Sequence, residues 1–559
     1  MKTFPFCRKR FIIILVILSL LALAVFLRLL YLDTFNDSFL INQGDYESVH
    51  YRQIPAIRGM LLDRNGVPLA VSAPIYDIVG DPKTLLMFPD KIALLAQNPA
   101  LGIGLPQLQK MLNARPNSRY IQLTQDLPPA QMQSIVDMRV PGIYAETHYQ
   151  TYYPMGAPLA QVVGFTDNNN KGQDGLEMAL EPIIGATQGR EAVLRTAKGK
   201  VLGIQQIITP AKSGTDVTLS VDSRLQYIAY EALKQQVEFL NADNGSVAIV
   251  DPSNGQILAA VSYPSYNPNN PSERVGPNVK DRAITDIFEP GSTVKTFTIA
   301  GALEHGKYTP DTPVDTRPGW VVVGGHRMND DHTHGLINVT EVLKYSSDVG
   351  ITKIVFSQPR EYTYNMITSA GFGTLTGAHF PGEARGILHP LKSLSALEFD
   401  NMAFGYHIAA TTLQLARAYS AIANGGTLHP LTFIKSDTPP QGVRIMSEKT
   451  AEEMRQMLRT VVQAGGTGTR ANIKAFTVAG KTGTSNIAKA GGYYQDRYNA
   501  MFVGMVPADH PRLVIAVHIT NPQKGYIYHQ GAMASAPVFA TIANSAVRIL
   551  GIPTTGSGS

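Results

Sequence analysis

Ser292-Thr293-Val294-Lys295 is the one place in the 559 residues where a serine is followed three positions later by a lysine. A chain of this composition would hold roughly two such pairs by chance, so the surroundings must carry the argument. Pro290-Gly291 is a turn signal, and Thr293 to Glu304 is apolar enough to form a buried helix, which puts Ser292 at its N-terminus. There the helix dipole favours a developing alkoxide or oxyanion. Lys295, about one turn on, shares the serine's face and can take its proton if burial lowers its pKa. A capping serine beside a surface lysine fits the motif as well when the motif is taken alone.

Lys481-Thr482-Gly483-Thr484-Ser485 is the second signal, on a predicted strand. A cationic side chain and two hydroxyls on a strand edge suit a substrate carboxylate, and Gly483 removes the side chain that would block close approach. The plainer alternative is an edge-strand lysine followed by a strand-ending glycine. Ser346-Ser347-Asp348, following a predicted helix, is uninformative by itself. His326, Asp330, Asp331, His332 and His334 are metal-binding residue types, but their spacing fits no familiar site, and we read them as a polar loop.

Elements on both sides must position these residues. Ser223 to Leu240 reads as a helix with Leu225, Ile228, Ala229, Leu233 and Val237 on one face. Ser246 to Ser262 reads as a hairpin around Pro252-Ser253-Asn254-Gly255. Further strands are expected only at Phe476 to Ser485, Asn499 to Val506 and Leu513 to Thr520, and helices at Thr412 to Asn424 and Pro537 to Leu550. Strands from both ends of a domain with helices between them predict one antiparallel sheet completed late and a helical lobe beside it. Residues 33 to about 220 mix short strands with turns such as Asn65-Gly66 and Lys171-Gly172, an irregular α+β module without a long helical array.

Length leaves room for two to four domains. The single Cys7 excludes a disulfide framework and a cysteine-built zinc site. Of the net charge of +5, Lys2, Arg8, Lys9 and Arg10 supply four, so the basic balance does not point to nucleic acid. Phe11 to Leu27 is apolar apart from Ser19, and the pattern resumes beyond Arg28, enough to span a bilayer. The basic flank orients the N-terminus to the cytoplasm. Ala22-Leu23-Ala24 resembles a signal-peptidase site, but the apolar run continues past it, which favours an uncleaved anchor.

In the order Ser-x-x-Lys, Ser-x-Asp and Lys-Thr-Gly, the motifs resemble the signature of penicillin-binding proteins and serine β-lactamases, whose central motif is usually Ser-x-Asn. Arg58-Gly59-Met60-Leu61-Leu62-Asp63-Arg64-Asn65-Gly66, Tyr153-Pro154 through Gly164-Phe165 and Gly175-Leu176-Glu177 resemble the pedestal domain of class B penicillin-binding proteins. Phe404-Gly405-Tyr406 through Gly426 and Ala536-Pro537-Val538-Phe539 resemble their transpeptidase domain. The runs around Tyr498-Asn499-Ala500, Val506-Pro507 and Asn521-Pro522-Gln523 are most similar to the division-specific branch. No stretch resembles a glycosyltransferase domain.

The resemblance implies an α+β chain with a cytoplasmic N-terminus (1–10), an inner-membrane anchor (11–32), a pedestal (33–220), a transpeptidase domain (221–553) built on a five-stranded antiparallel sheet, and a tail (554–559). It implies a D,D-transpeptidase that cross-links peptidoglycan stem peptides outside the membrane, is acylated by β-lactams and needs no metal or cofactor. Ser292 would be the nucleophile, Lys295 the general base and Ser346 a proton relay. Lys481, Thr482, Gly483 and Thr484 would hold the donor carboxylate, and the backbone N–H groups of Ser292 and Thr484 would form the oxyanion hole. A glycan polymerase of the FtsW type would be the membrane partner. Asp348 stands where the division-specific branch usually has Asn, whereas elongation-specific relatives often carry Asp; we expect it to orient Lys295. An elongation role, a β-lactamase, an inactive division scaffold and a penicillin-sensing receptor are the competing readings. The anchor and pedestal weigh against the β-lactamase, the intact nucleophile motif against the scaffold, and the ten-residue cytoplasmic segment against the receptor.

Overall fold

The computed structural model describes residues 8–35, 49–195, 201–474 and 476–554. Cys7, Lys2 and the tail beyond Thr554 lie outside the described residues. Two compact units separate: residues 1–57 with 186–214, and residues 58–185 with 215–559.

The first unit contains helix α1 (Arg8–Phe35). Within its stretch Arg8–Tyr31 the most apolar 18-residue window has a mean hydropathy of 3.0, and the apolar side chains there are exposed. At 1.5 Å per residue this helix is about 42 Å long, more than a bilayer core requires. It extends beyond the expected 11–32 at both ends. The same unit holds three antiparallel strands, Val49–Ile54, Gly189–Arg195 and Val201–Thr209.

In the second unit, the long strand Pro68–Gly80 pairs antiparallel with Ile121–Leu127 and Ile143–Tyr152. Leu85, Ile92, Leu95, Leu108 and Leu112 from short helices pack with Ile78 to form a local core. A buried ion pair ties this region together. Arg58, 2% exposed, donates from Nε to Glu177 Oε2 at 2.8 Å, from Nη2 to the same oxygen at 2.5 Å and to the Glu177 carbonyl at 3.1 Å. Its Nη1 meets Glu181 Oε2 at 2.7 Å and the Asn170 carbonyl at 3.0 Å. Two blocks singled out in the sequence, around Arg58 and Glu177, therefore meet through one guanidinium.

The larger part of this unit begins with α2 (Ser223–Leu240), capped by the Asp222 side chain accepting from Arg224 N. Five antiparallel strands follow: β1 (Asn244–Val250), β2 (Ile257–Tyr263), β3 (Ala479–Lys489), β4 (Gly492–Val506) and β5 (Leu513–Thr520), in the order β2-β1-β5-β4-β3. Alternation along the strands feeds two cores. Val247, Ile249, Val517 and Phe502 pack with α2 and the last helix, Ala536–Ile549. Ala248, Val250, Ala516 and Val503 face the helical lobe, where small alanines let the helix Thr412–Ala423 approach closely.

The expected β5 and α2 match the observed bounds. Strand β3 starts three residues later than expected and runs on to Lys489, while β4 starts at Gly492, seven residues before the expected Asn499. The two form a long hairpin whose outer part, Ala488↔Tyr493 and Lys489↔Gly492, is largely exposed and lacks the apolar alternation that marks a strand in sequence.

Candidate active site

Ser292 lies in a 3₁₀ turn, Gly291–Thr293, that leads into α3 (Lys295–Glu304). Residues Lys295 to Leu303 of this helix are all buried, so the lysine is held in the core of the lobe. The turn is anchored on several sides. Gly291 N donates to Gly405 O at 3.0 Å, Thr293 Oγ1 to Pro290 O at 2.7 Å, and Tyr419 Oη to Thr293 O at 2.8 Å. Gly291 has φ +50°, and a Cβ there would stand 2.7 Å from Thr484 O; a Cβ on Gly405, φ +91°, would stand 2.0 Å from Gly291 O. Both glycines are required by close backbone approach. The block Phe404-Gly405-Tyr406 thus serves to seat the Ser292 turn against β3.

Edge strand β3 brings Lys481 to the same place. Ser485 Oγ donates to Glu289 O at 2.7 Å, which ties the strand to the turn before Ser292. Lys481 is 0% exposed and its Nζ reaches Ser346 Oγ at 3.0 Å. Burial and the nearby Lys295 push the Lys481 ammonium well below the usual lysine range, with Asp348 opposing. Thr482 Oγ1 pairs with Thr467 Oγ1 at 2.9 Å, and Thr484 Oγ1 accepts from Gly531 N at 3.1 Å.

The third motif sits at a joint between α4 (Val339–Tyr345) and α5 (Asp348–Phe356). Ser346 ends α4 in the left-handed region, φ +62°, and Ser347 caps α5. That kink turns Ser346 toward both lysines: Lys295 Nζ donates to Ser346 O at 2.5 Å and to Ser346 Oγ at 3.2 Å. Lys295 Nζ also lies 2.6 Å from Asp348 Oδ1. Ser346 Oγ therefore accepts from two lysine side chains and keeps its own proton free to donate onward. The half-buried Ser292 hydroxyl makes no hydrogen bond among the described residues. Ser292 and Lys295 thus stand on the turn and at the start of α3, Ser346 and Asp348 at the joint, and Lys481 on β3.

Asp330, read in the sequence as part of a polar loop, has a more specific place. Its carboxylate accepts from Ser347 Oγ at 2.6 Å and from Val349 N at 3.0 Å, fastening the start of α5. Seventeen residues separate Asp330 from Ser347, so no local signal marks the pairing. Asp330→Ala is expected to cost about 1–2 kcal/mol, as for loss of a helix cap. It should also loosen the joint that places Ser346 and Asp348 against Lys295, raising amide hydrogen exchange across residues 346–350 about 10-fold. Denaturation and hydrogen exchange measure the two effects, and Asp330→Asn, which keeps an acceptor oxygen, should restore part of the protection.

Comparison with known proteins bears on this constellation. Residues 245–544 match the penicillin-binding protein transpeptidase domain, and residues 53–219 match the penicillin-binding protein dimerisation domain. The chain belongs to the class B penicillin-binding proteins. A probable peptidoglycan D,D-transpeptidase, PbpC, of Pseudomonas aeruginosa is 36% identical over 97% of this chain and 96% of its own length. Peptidoglycan D,D-transpeptidase FtsI of Escherichia coli is 35% identical over 95% and 90%. Among solved structures, penicillin-binding protein 3 of Mycobacterium tuberculosis is 26% identical with a TM-score of 0.69, over 90% of this chain and 98% of that one. The resemblance of the pedestal and transpeptidase segments is thereby confirmed at the level of the whole penicillin-binding protein, as is its α+β fold.

Proposed function

We propose that this penicillin-binding protein is a peptidoglycan D,D-transpeptidase that works through a Ser292 acyl-enzyme. The Ser346 hydroxyl held between Lys295 and Lys481, with Lys295 also on Asp348 and one turn along from Ser292, carries the reading. Ser292 Oγ attacks the carbonyl of the penultimate D-Ala of a stem peptide while Lys295 takes its proton. Backbone N–H groups of Ser292 and Thr484 hold the oxyanion, a contribution of about 3–4 kcal/mol per donor in serine hydrolases. The C–N bond to the terminal D-Ala breaks as its amine receives a proton relayed through Ser346. An acceptor amine then attacks the ester, forms the new amide and returns the proton to Ser292. Lys481, Thr482 and Thr484, with Gly483 allowing close approach, bind the donor carboxylate or that of a β-lactam. Asp348 orients Lys295, a task an ionised carboxylate can perform although it cannot donate to the substrate.

Within this reading, α1 spans the inner membrane with its N-terminus in the cytoplasm. Residues 33–220 form the pedestal, and 221–553 form the transpeptidase domain outside. Similarity to FtsI supports a septal role alongside a polymerase of the FtsW type; Asp348 favours the second reading, side-wall elongation. The M. tuberculosis relative has been crystallised with aztreonam and with ampicillin, which supports acylation by β-lactams. Fluorescent penicillin should form a stable adduct with the wild type and none with Ser292→Ala. Absence of the wild-type adduct would overturn the enzymatic reading, and rapid turnover of the label would indicate a β-lactamase. Filaments on depletion would indicate division, and spheres elongation.

A further inference from the structure

A second carboxyl group lies behind the Lys295–Asp348 pair. Asp400, on α6 (Ala396–Ala403), is 0% exposed. Its Oδ2 accepts from Thr352 Oγ1 at 3.1 Å, while its Oδ1 has no partner among the described residues. Thr352 follows Asp348 by one turn on α5, so the two side chains share a helix face, and the Thr352 bond turns that face to α6. Asp348 itself touches Lys295 at 2.6 Å. The groups whose charges reach Asp400 are Asp348 from α5 and Lys295 from α3. The strand Trp320–Val323 packed on α6 carries no titratable carboxyl or amine, and Arg360 lies over the Phe399 ring, donating to the carbonyls of Leu394 and Ser395.

A buried carboxyl with one unpaired oxygen resists ionisation. Burial raises Asp400 to about 7; the Thr352 hydrogen bond opposes the rise, Asp348 adds to it and Lys295 opposes it. We propose that Asp400 is a positioning residue that acts on Lys295 through charge. Neutral, it leaves one anion facing one cation in the site; ionised, it places a second anion behind Asp348 and holds Lys295 as the ammonium. Acylation then depends on a cluster of three groups. This inference rests on Lys295 being the base that serves Ser292.

Its test is the pH dependence of the acylation rate with fluorescent penicillin. Asp400→Asn keeps the shape and an acceptor for Thr352 but cannot ionise. Removing the anion eases proton loss from Lys295, so the rising limb of the profile should move to lower pH by about one unit. Thr352→Val, which removes a bond favouring the ionised carboxyl, should move the limb the same way by less, and thermal unfolding will show that both variants fold. An Asp400→Asn profile that coincides with that of a normally labelling wild type would overturn the proposal. So would an equal loss of rate at every pH, which a packing role alone would give. A wild type without adduct, or Lys295→Met acylating at the wild-type rate, would instead defeat the reading of the base.

Discussion

Lys295→Met is expected to lower the rate of acylation by penicillin by about 10²–10⁴-fold, the usual contribution of a positioned base. Methionine matches the stem that lies buried along α3, where the lysine is 1% exposed, so the lobe keeps its packing. What disappears is the group that contacts Ser346 O, Ser346 Oγ and Asp348 Oδ1. Asp348 keeps a side-chain exposure of 37% and can be rehydrated, which limits the stability loss. Lys481 also loses the neighbour that helps hold its ammonium down, and so regains affinity for a proton. The remaining lysine is then a poorer substitute for the missing base at neutral pH. Time-resolved mass measurement of the adduct checks the result, and an unchanged rate would remove Lys295 from the mechanism.

Arg58→Met has the largest expected effect on stability, a loss of about 3–5 kcal/mol for a buried pair broken on one side. Both side chains of the Arg58–Glu177 pair are 1% exposed, and Glu177 Oε1 already lacks a partner. Burial raises Glu177 to about 7 in spite of Arg58. A carboxyl with a raised folded-state value binds more protons folded than unfolded between about 4.5 and 7. Its contribution to stability is therefore greatest below that window and falls as pH rises through it. Without Arg58 the penalty on the ionised form grows, so the variant should recover stability on acidification. Arg58→Met combined with Glu177→Gln should be more stable than Arg58→Met alone at neutral pH. Urea denaturation at neutral and mildly acidic pH measures both expectations; a pH-independent deficit would show that the loss is one of packing.

Local pattern explains which parts of this molecule could be read in advance. Leu225, Ala229, Leu233 and Val237 repeat at helical spacing behind the Asp222 cap, and α2 begins and ends where that pattern does. The outer β3–β4 hairpin carries no such pattern. Its strands are held by the ladder itself and by Lys489 and Arg497 over the Tyr494 ring, contacts that follow from pairing and leave no periodic trace. Ser292, Lys295 and Lys481 were legible because each motif is compact and its residue types are chemically specific. Asp330 and Asp400 were not, since their meaning lies in partners 17 and 48 residues away on other elements. An aspartate in a polar loop and one in an amphipathic helix look ordinary until the fold places them.

The strand order β2-β1-β5-β4-β3 has a consequence for the life of the chain. β3, which carries Lys481, is attached to the β1–β2 hairpin only through β4 and β5, and β5 ends at Thr520. Ser292 emerges during synthesis almost 200 residues before Lys481, yet the two cannot be brought together across the sheet until β5 has been translated. The Ser292 turn therefore meets Lys481 only when nearly the whole chain is available, so the site is among the last parts of the molecule to assemble as the chain is made.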